Sequence, residues 1–293
     1  MELQNINEIG PAGEIAIIIN VNTRLSTTLA LLSALKYVKT PILLIDCKSK
    51  DKSYEYFLKL MKSYEFDLLS APLHEHGKTL DWIFMNINSE KILLIDSDLE
   101  ILDESPIRMM REAVMPEDVF GSGFVHEGSW MLAQKMKYGY YEERAWIPFV
   151  LFKVMPVREA LSSGLSFYTK KVFNDLPRLQ LLSKLLAGRL YLPVLRNLRL
   201  SFLDHFRKEF HEVKPSLLYY DTGALVYQHL QNSHGYKFAG LSWEINWRSI
   251  IHFHGVTRLQ LNKLGRNGAK LNSISDYIKQ RLVEKYDIEP YDE

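Results

Sequence analysis

The sequence predicts an α/β fold: a mostly parallel sheet flanked by helices, followed by an irregular α+β C-terminal half. Three observations predict it. Short, unbroken apolar runs of strand length recur through the first 125 residues, stretches with apolar residues at helical spacing separate them, and two of the runs end alike, as ILLID. Strands buried on both faces read as continuous apolar runs, and helical crossovers between them make the sheet parallel.

Ile15 to Val21 (IAIIINV) has the length and composition of a first buried strand. Leu25 to Val38 carries apolar residues at helical spacing, with Ser and Thr near its start. Ile42 to Asp46 is a second strand, Ser53 to Met61 a second helix, and Phe66 to Leu69 a short third strand. Leu80, Ile83, Phe84 and Ile87 recur at the i, i+3, i+4, i+7 period of a third helix. Lys91 to Asp96 is a fourth strand and Val119 to Val125 a fifth. The alternation stops near residue 126. Residues 126–177 mix Gly, Trp and Tyr with three prolines, which predicts loops and an irregular sheet. Residues 178–208 hold seven Lys/Arg and one acid, Asp204, among many leucines, and Gly268 to Glu293 has the pattern of a polar amphipathic helix with an acidic end.

The chain has 293 residues, 36 basic and 35 acidic, for a net charge of +1. That balance argues against a surface built to hold nucleic acid. One cysteine, Cys47, excludes an intramolecular disulfide and a thiolate zinc cage. The first residues, MELQNINEIGPAGEIA, have no basic stretch leading into an apolar core, so no secretory signal is predicted. No apolar run reaches the ~18 residues of a spanning helix; Ala145 to Val157 is broken by Pro148, Lys153 and Pro156. A soluble, cytoplasmic protein is the expectation.

In parallel sheets ligands sit beyond the carboxyl ends of the strands, and the two ILLID runs put Asp46 and Asp96 there. Asp96-Ser97-Asp98 follows its strand directly, so alternation turns both carboxylates to one side. Such a pair can hold a hard divalent cation, Mg²⁺ or Mn²⁺, against phosphate oxygens. D-x-D alone is a weak signal, since a chain this size carries about one by chance; the other reading is a solvated turn. Asp46 can accept hydrogen bonds from a base or a ribose, whereas Asp51 and Ser53 also suit a turn and a helix N-cap. Further on, Ile250 to Arg258 (IIHFHGVTR) places His252 and His254 on one face of a strand end, where a neutral imidazole can complete a carboxylate metal site. There is no P-loop, no G-x-G-x-x-G after the first strand and no H-E-x-x-H.

Several of these stretches together resemble the family 2 glycosyltransferases of the GT-A group. The opening strand and turn, I-I-P-x-Y-N-R in that family, is here Ile18-Ile19-Asn20-Val21-Asn22-Thr23-Arg24. The D-[DN]-x-S-x-D-x-[ST] stretch is Asp46 to Ser53, the D-x-D is Asp96 to Asp98, and His76 to Leu80 is similar to the family's loop before the third helix. Asn20 stands where proline is usual, Thr23 for asparagine and Cys47 for the second acid. The resemblance covers about residues 14–125 and thins beyond. It implies a GT-A domain over 1–265, with a nucleotide-binding half at 14–125 and an acceptor half at 126–265, and a helical tail at 266–293.

The resemblance also implies roles. Asp46 and Arg24 would contact the nucleotide, and Asp96 and Asp98 would hold Mn²⁺ or Mg²⁺ against the diphosphate of a nucleoside-diphosphate sugar. The family's catalytic base is the second acid of an E-D pair opening a helix that ends in Gly-Tyr. Here Tyr220-Asp221-Thr222-Gly223 precedes Ala224 to Asn232 and the stretch closes at Gly235-Tyr236, so Asp221 matches the base and Tyr220 replaces the first acid. Asp221 is equally a good N-cap residue. His252, Gly255 and Arg258 also resemble the H-x-x-G-x-x-[KR] of the retaining family 8 enzymes, in which His binds metal and the cation holds the diphosphate. The implied reaction is metal-dependent transfer of a sugar to a saccharide or lipid-linked acceptor hydroxyl, with inversion, in polysaccharide or glycoconjugate assembly. A retaining enzyme and a non-catalytic nucleotide-sugar or partner-binding protein stay open. A nucleotidyltransferase would show a glycine-rich loop after the first strand, and Asn20 to Ser26 has no glycine. Residues 178–208 fit either a helix covering the sheet or one lying on an anionic bilayer, at the inner face of the membrane.

Overall fold

The computed structural model describes residues 1–72, 74–130, 139–173, 217–254, 256 and 268–289. In chain order its strands are β1 (Glu2–Leu3), β2 (Ile15–Asn20), β3 (Ile42–Asp46), β4 (Asp67–Ser70), β5 (Lys91–Asp96), β6 (Leu99–Ile101), β7 (Val119–His126), β8 (Ser129–Trp130), β9 (Gly139–Tyr141), β10 (Arg144–Lys153), β11 (Lys170–Phe173), β12 (Leu217–Tyr220), β13 (Lys237–Gly240) and β14 (Ile250–His252). The helices are α1 (Arg24–Tyr37), α2 (Ser53–Leu60), α3 (His76–Asn86), α4 (Ser105–Ala113), α5 (Val154–Ser162), α6 (Ala224–Ser233), α7 (Trp243–Ser249) and α8 (Gly268–Tyr286).

The main sheet has eight strands in the order β1-β4-β3-β2-β5-β10-β7-β13. All its pairs are parallel except the two that β10 makes, with β5 and with β7. The predicted α/β class with a mostly parallel sheet and flanking helices therefore holds. Alternation along each strand feeds two cores. Ile15 and Ile17 face α3, α5 and α6 on one side, while Ala16 and Ile18 face α1, α2 and α4 on the other. Helix α1 is buried on two sides: Leu31 and Ala34 meet the sheet, and Leu29 and Leu32 meet Ile278 and Leu282 of α8.

Part of 126–177 differs from the sequence expectation of loops and an irregular sheet. Its apolar run forms β10, which lies inside the main sheet, and the start of α5. Pro148 is accommodated because the β10–β7 register shifts between Ala145 and Val150, and pairing with β5 begins only at Phe149. A residue with no N–H belongs at such an irregularity. The irregular sheet is also present, as β11-β12-β9-β8, and β14 pairs with β6 in a two-stranded ribbon. Residues 178–208 and Arg258 lie outside the described residues.

Candidate functional site

Parallel pairing brings three polar residues to one sheet edge. Asn20 of β2 is in register with Asp46 of β3, and its neighbour Ile19 is in register with Asp96 of β5. Each residue ends its strand, so each side chain stands where the chain leaves the sheet. Asn20, wholly buried, links the loops that follow. Its Nδ2 donates to Asp46 Oδ1 (2.6 Å) and Ser49 Oγ (2.9 Å), and its Oδ1 accepts from Thr23 N–H (3.2 Å) and from the Thr23 and Thr27 hydroxyls. Asp46 is 1% exposed, and its second oxygen accepts from the Ser49 N–H at 3.0 Å. Both Asp46 oxygens are thus engaged inside this network. Arg24, at the start of α1, donates from Nη1 to the Asp51 carbonyl (3.2 Å), and its guanidinium lies over the Tyr56 ring.

On the other side of Asn20, Asp96 ends β5 and Asp98 lies in the turn that follows. The Asp96, Asp98 and His252 side chains offer ligand atoms that all lie within 4.8 Å of one another. The β6–β14 ribbon makes this possible, since Leu99 is in register with His252 and the Phe253 N–H donates to the Asp98 carbonyl at 2.9 Å. Asp98 Oδ1 is 3.1 Å from His252 Nε2, and Asp98 Oδ2 accepts from the Val256 N–H at 3.3 Å. His252 Nδ1 is buried and has no hydrogen-bond partner among the described residues. His254, exposed and held at φ 34°, keeps its ring edge-on to His252 with centroids 4.1 Å apart, but it is not one of the three clustered groups.

Burial pushes the Asp96 carboxyl above the usual carboxylate range; the Asp98 charge adds to the push, while His76 and His252 oppose it. A desolvated carboxylate beside a second carboxylate is a setting that a divalent cation would relieve. The donor set of two carboxylates and one imidazole suits Mn²⁺ or Mg²⁺ and lacks the thiolates that favour softer ions.

Asp221 follows β12. Its Oδ2 is 2.9 Å from Arg144 Nη2, and the Thr169 hydroxyl lies 3.5 Å from Oδ1. Gly223, two residues on, needs its missing side chain: φ is +80°, and a Cβ there would lie 2.9 Å from Ile147 Cδ1. Asp221, Arg144, His252 and His254 all act electrostatically on His126, at the end of β7, so the ends of β7, β12 and β14 and the start of β10 lie near one another. Burial, reinforced by the Arg144 charge, pushes His126 down to about 4. Its ring lies 5.2 Å from that of Trp243, which itself packs edge-on to Trp146.

Sequence reasoning missed His126 and Arg144, and it marked His76 only as part of the His76 to Leu80 stretch, not as a neighbour of Asp96. Arg144 precedes an apolar run whose strand character Pro148 disguises. His126 stands where the regular alternation ends, and His76 opens a helix at which no motif points to Asp96.

No protein-family profile matches the chain, and no curated protein matches it. Solved structures do. The first is S. aureus TarS 1–349, at 14% identity over 50% of this chain and 48% of that chain, with a TM-score of 0.35. A mannosyltransferase from Pyrobaculum calidifontis, solved with GDP-Man and Mn²⁺, matches at 10% identity over 53% of this chain and 49% of that one, TM-score 0.38. The glycosyltransferase GlyE of Streptococcus pneumoniae TIGR4 matches at 12% identity over 97% of this chain and 66% of that one, TM-score 0.43. The match thus spans about half the length of the first two. Site chemistry rests on this chain's own residues.

Proposed function

We propose that the protein is a glycosyltransferase that moves a sugar from a nucleoside-diphosphate donor to an acceptor hydroxyl. The observation that carries this reading is the group Asp96, Asp98 and His252 at the carboxyl edge of a mostly parallel sheet; Asp221 and His252 are both near enough to His126 to act on it electrostatically. Asp96, Asp98 and His252 would hold Mn²⁺ or Mg²⁺. Bound there, the cation would offset the charge that develops on the departing diphosphate. On the other side of Asn20, Asp46 acts through the loop it anchors, and with Arg24 and Asp51 it shapes the nucleoside end of the site.

In the transfer, the bond between the anomeric carbon and the diphosphate oxygen breaks and one to the acceptor oxygen forms. Asp221 takes the proton that the acceptor hydroxyl gives up, and the nucleoside diphosphate leaves. Arg144, 2.9 Å from the Asp221 carboxylate, holds it in place before the acceptor arrives. Displacement by this route inverts the sugar. Arg258, outside the described residues, would meet the diphosphate. The acceptor is a saccharide hydroxyl or a lipid-linked one; for the latter, residues 178–208 would lie on the inner face of a membrane. No helix among the described residues is long and apolar enough to cross one.

The test is a panel of UDP-, GDP-, dTDP- and CMP-linked sugars, each with and without Mn²⁺, read by thermal shift. A ligand at ~100 times its Kd adds about 2.7 kcal/mol to native stability. A Mn²⁺-dependent shift with one nucleotide class supports the reading; no shift with any donor contradicts it. Once a donor is found, Asp221→Asn should keep donor binding and lower transfer by about 10²–10⁴-fold, the usual contribution of a general base.

A further inference from the structure

The C-terminal helix α8 is tied to the ribbon that carries the candidate metal ligands. Glu100 lies on β6, two positions after Asp98, and its side chain is 0% exposed. Arg281 of α8 donates from Nε to Oε2 (3.1 Å) and from Nη2 to Oε1 (2.7 Å), and Lys285 Nζ donates to Oε1 at 2.9 Å. The two cations stand four residues apart, one helical turn, so both reach the same carboxylate. Removing a partner from a carboxylate buried this deeply is costly, and these two partners come from α8.

Two further contacts join the same parts. Phe253, between His252 and His254, has its ring 5.9 Å from that of Tyr277 on α8. Ile278 and Leu282 are buried against Leu29 and Leu32 of α1, with Phe253 packed beside them. The ribbon itself is small, with three residue pairs: Ile250 with Ile101, Ile251 with Glu100, and His252 with Leu99. A two-stranded pair of that length is not stable by itself. Something outside the ribbon must hold its register, and that register sets how far Asp98 stands from His252.

We propose that Glu100, Arg281 and Lys285 are positioning residues: docking of α8 through this ion triad holds the β6–β14 ribbon in register and so presets the Asp98–His252 pair for the cation. The proposal rests on the reading of Asp96, Asp98 and His252 as metal ligands. Docking and cation binding are then linked, and each strengthens the other by the same factor.

The experiment uses the full chain and four forms of it: unsubstituted, Arg281→Ala, Arg281→Lys and, as a control on the same helix, Gln280→Ala. Amide hydrogen exchange is followed over 98–101, 250–254 and 277–286 without metal and with Mn²⁺, and Mn²⁺ affinity is measured by calorimetry. In Arg281→Ala, exchange over 98–101 and 250–254 should speed up and Mn²⁺ affinity should fall about 10–100-fold, as for other groups that orient metal ligands. Arg281→Lys should recover most of both, Gln280→Ala should change neither, and Mn²⁺ should slow exchange over 277–286 in the unsubstituted chain. If Arg281→Ala is folded and binds Mn²⁺ as tightly as the unsubstituted chain, or if its faster exchange is confined to α8, the proposal is overturned. Should Arg281→Ala not fold, Lys285→Ala, which leaves one cation on Glu100, takes its place with the same outcomes. If the unsubstituted chain binds no Mn²⁺, the functional reading falls, and exchange over 98–101 and 250–254 alone decides whether α8 holds the ribbon.

Discussion

His252 Nε2 lies 3.1 Å from Asp98 Oδ1, although 154 positions separate the two residues in the chain. The β6–β14 ribbon brings them together, and it leaves His254 outside the cluster on an exposed, left-handed residue. The two histidines should therefore behave differently. His252→Ala should weaken Mn²⁺ binding by about tenfold or more, whereas His254→Ala should leave it within about twofold. Calorimetric titration of the two variants checks this, and equal losses would show that the ribbon does not select between them.

Asp96 should oppose folding of the metal-free protein. Its carboxyl is pushed up first by burial and then by the Asp98 charge. A group whose folded pKa exceeds its unfolded one adds stability below the unfolded value, and that stability is lost as pH rises through the folded value. At neutral pH the charged carboxylate is the burdened form. Asp96→Asn should raise the Tm of the metal-free chain at pH 7, with the gain disappearing at acid pH, and should abolish any Mn²⁺-dependent shift. A lower Tm at pH 7 would place the benefit of Asp96 in folding rather than in binding.

His126 supplies a pH test with the opposite sign. Burial and the Arg144 charge take it from the ordinary 6.5 down to about 4. A depressed folded pKa means that stability is fully present above 6.5 and is lost as pH falls toward 4. His126→Gln, which does not titrate, should show a shallower fall in stability across that window in urea unfolding. Parallel curves for the two proteins would refute the assignment.

Asn20 should matter more than its size suggests. Without it, the buried Asp46 carboxylate loses its 2.6 Å donor, and the Thr23 and Thr27 hydroxyls lose a shared acceptor. Asn20→Ala should cost about 3 kcal/mol, the range for stranding a buried charged group. Urea unfolding measures it, and a loss under about 0.5 kcal/mol, typical of an unimportant surface site, would show that the network is not what holds the loop.

Much of the first half was legible because a strand covered on both faces must be apolar throughout. Ile42–Asp46 and Lys91–Asp96 end where the sequence runs end, and the sheet edge with Asp46 and Asp96 follows from them. The second half hides its strands for identifiable reasons. In β10 Pro148 sits at a register shift, and β14, at three residues, is too short to show a period, as is its partner β6 in the first half. The Arg144–Asp221 pair joins residues far apart in the chain through strands of different sheets, which no local pattern encodes. Likewise, the C-terminal amphipathic pattern marks a helix but not the buried Glu100 that its cations meet. Asp46 shows the limit from the other side: its place at the strand end was readable, but its engagement with Asn20 and Ser49 depends on loop geometry.

The central claim is that Asp96, Asp98 and His252 hold a divalent cation against a nucleoside diphosphate. Its most direct measurement is calorimetric titration of Mn²⁺ into the chain in the presence of UDP or GDP, repeated on Asp98→Ala. The account predicts saturable, nucleotide-dependent Mn²⁺ binding to the unsubstituted chain that Asp98→Ala abolishes while the protein stays folded. Equal Mn²⁺ binding by both proteins, or none by either with any nucleoside diphosphate, would contradict it.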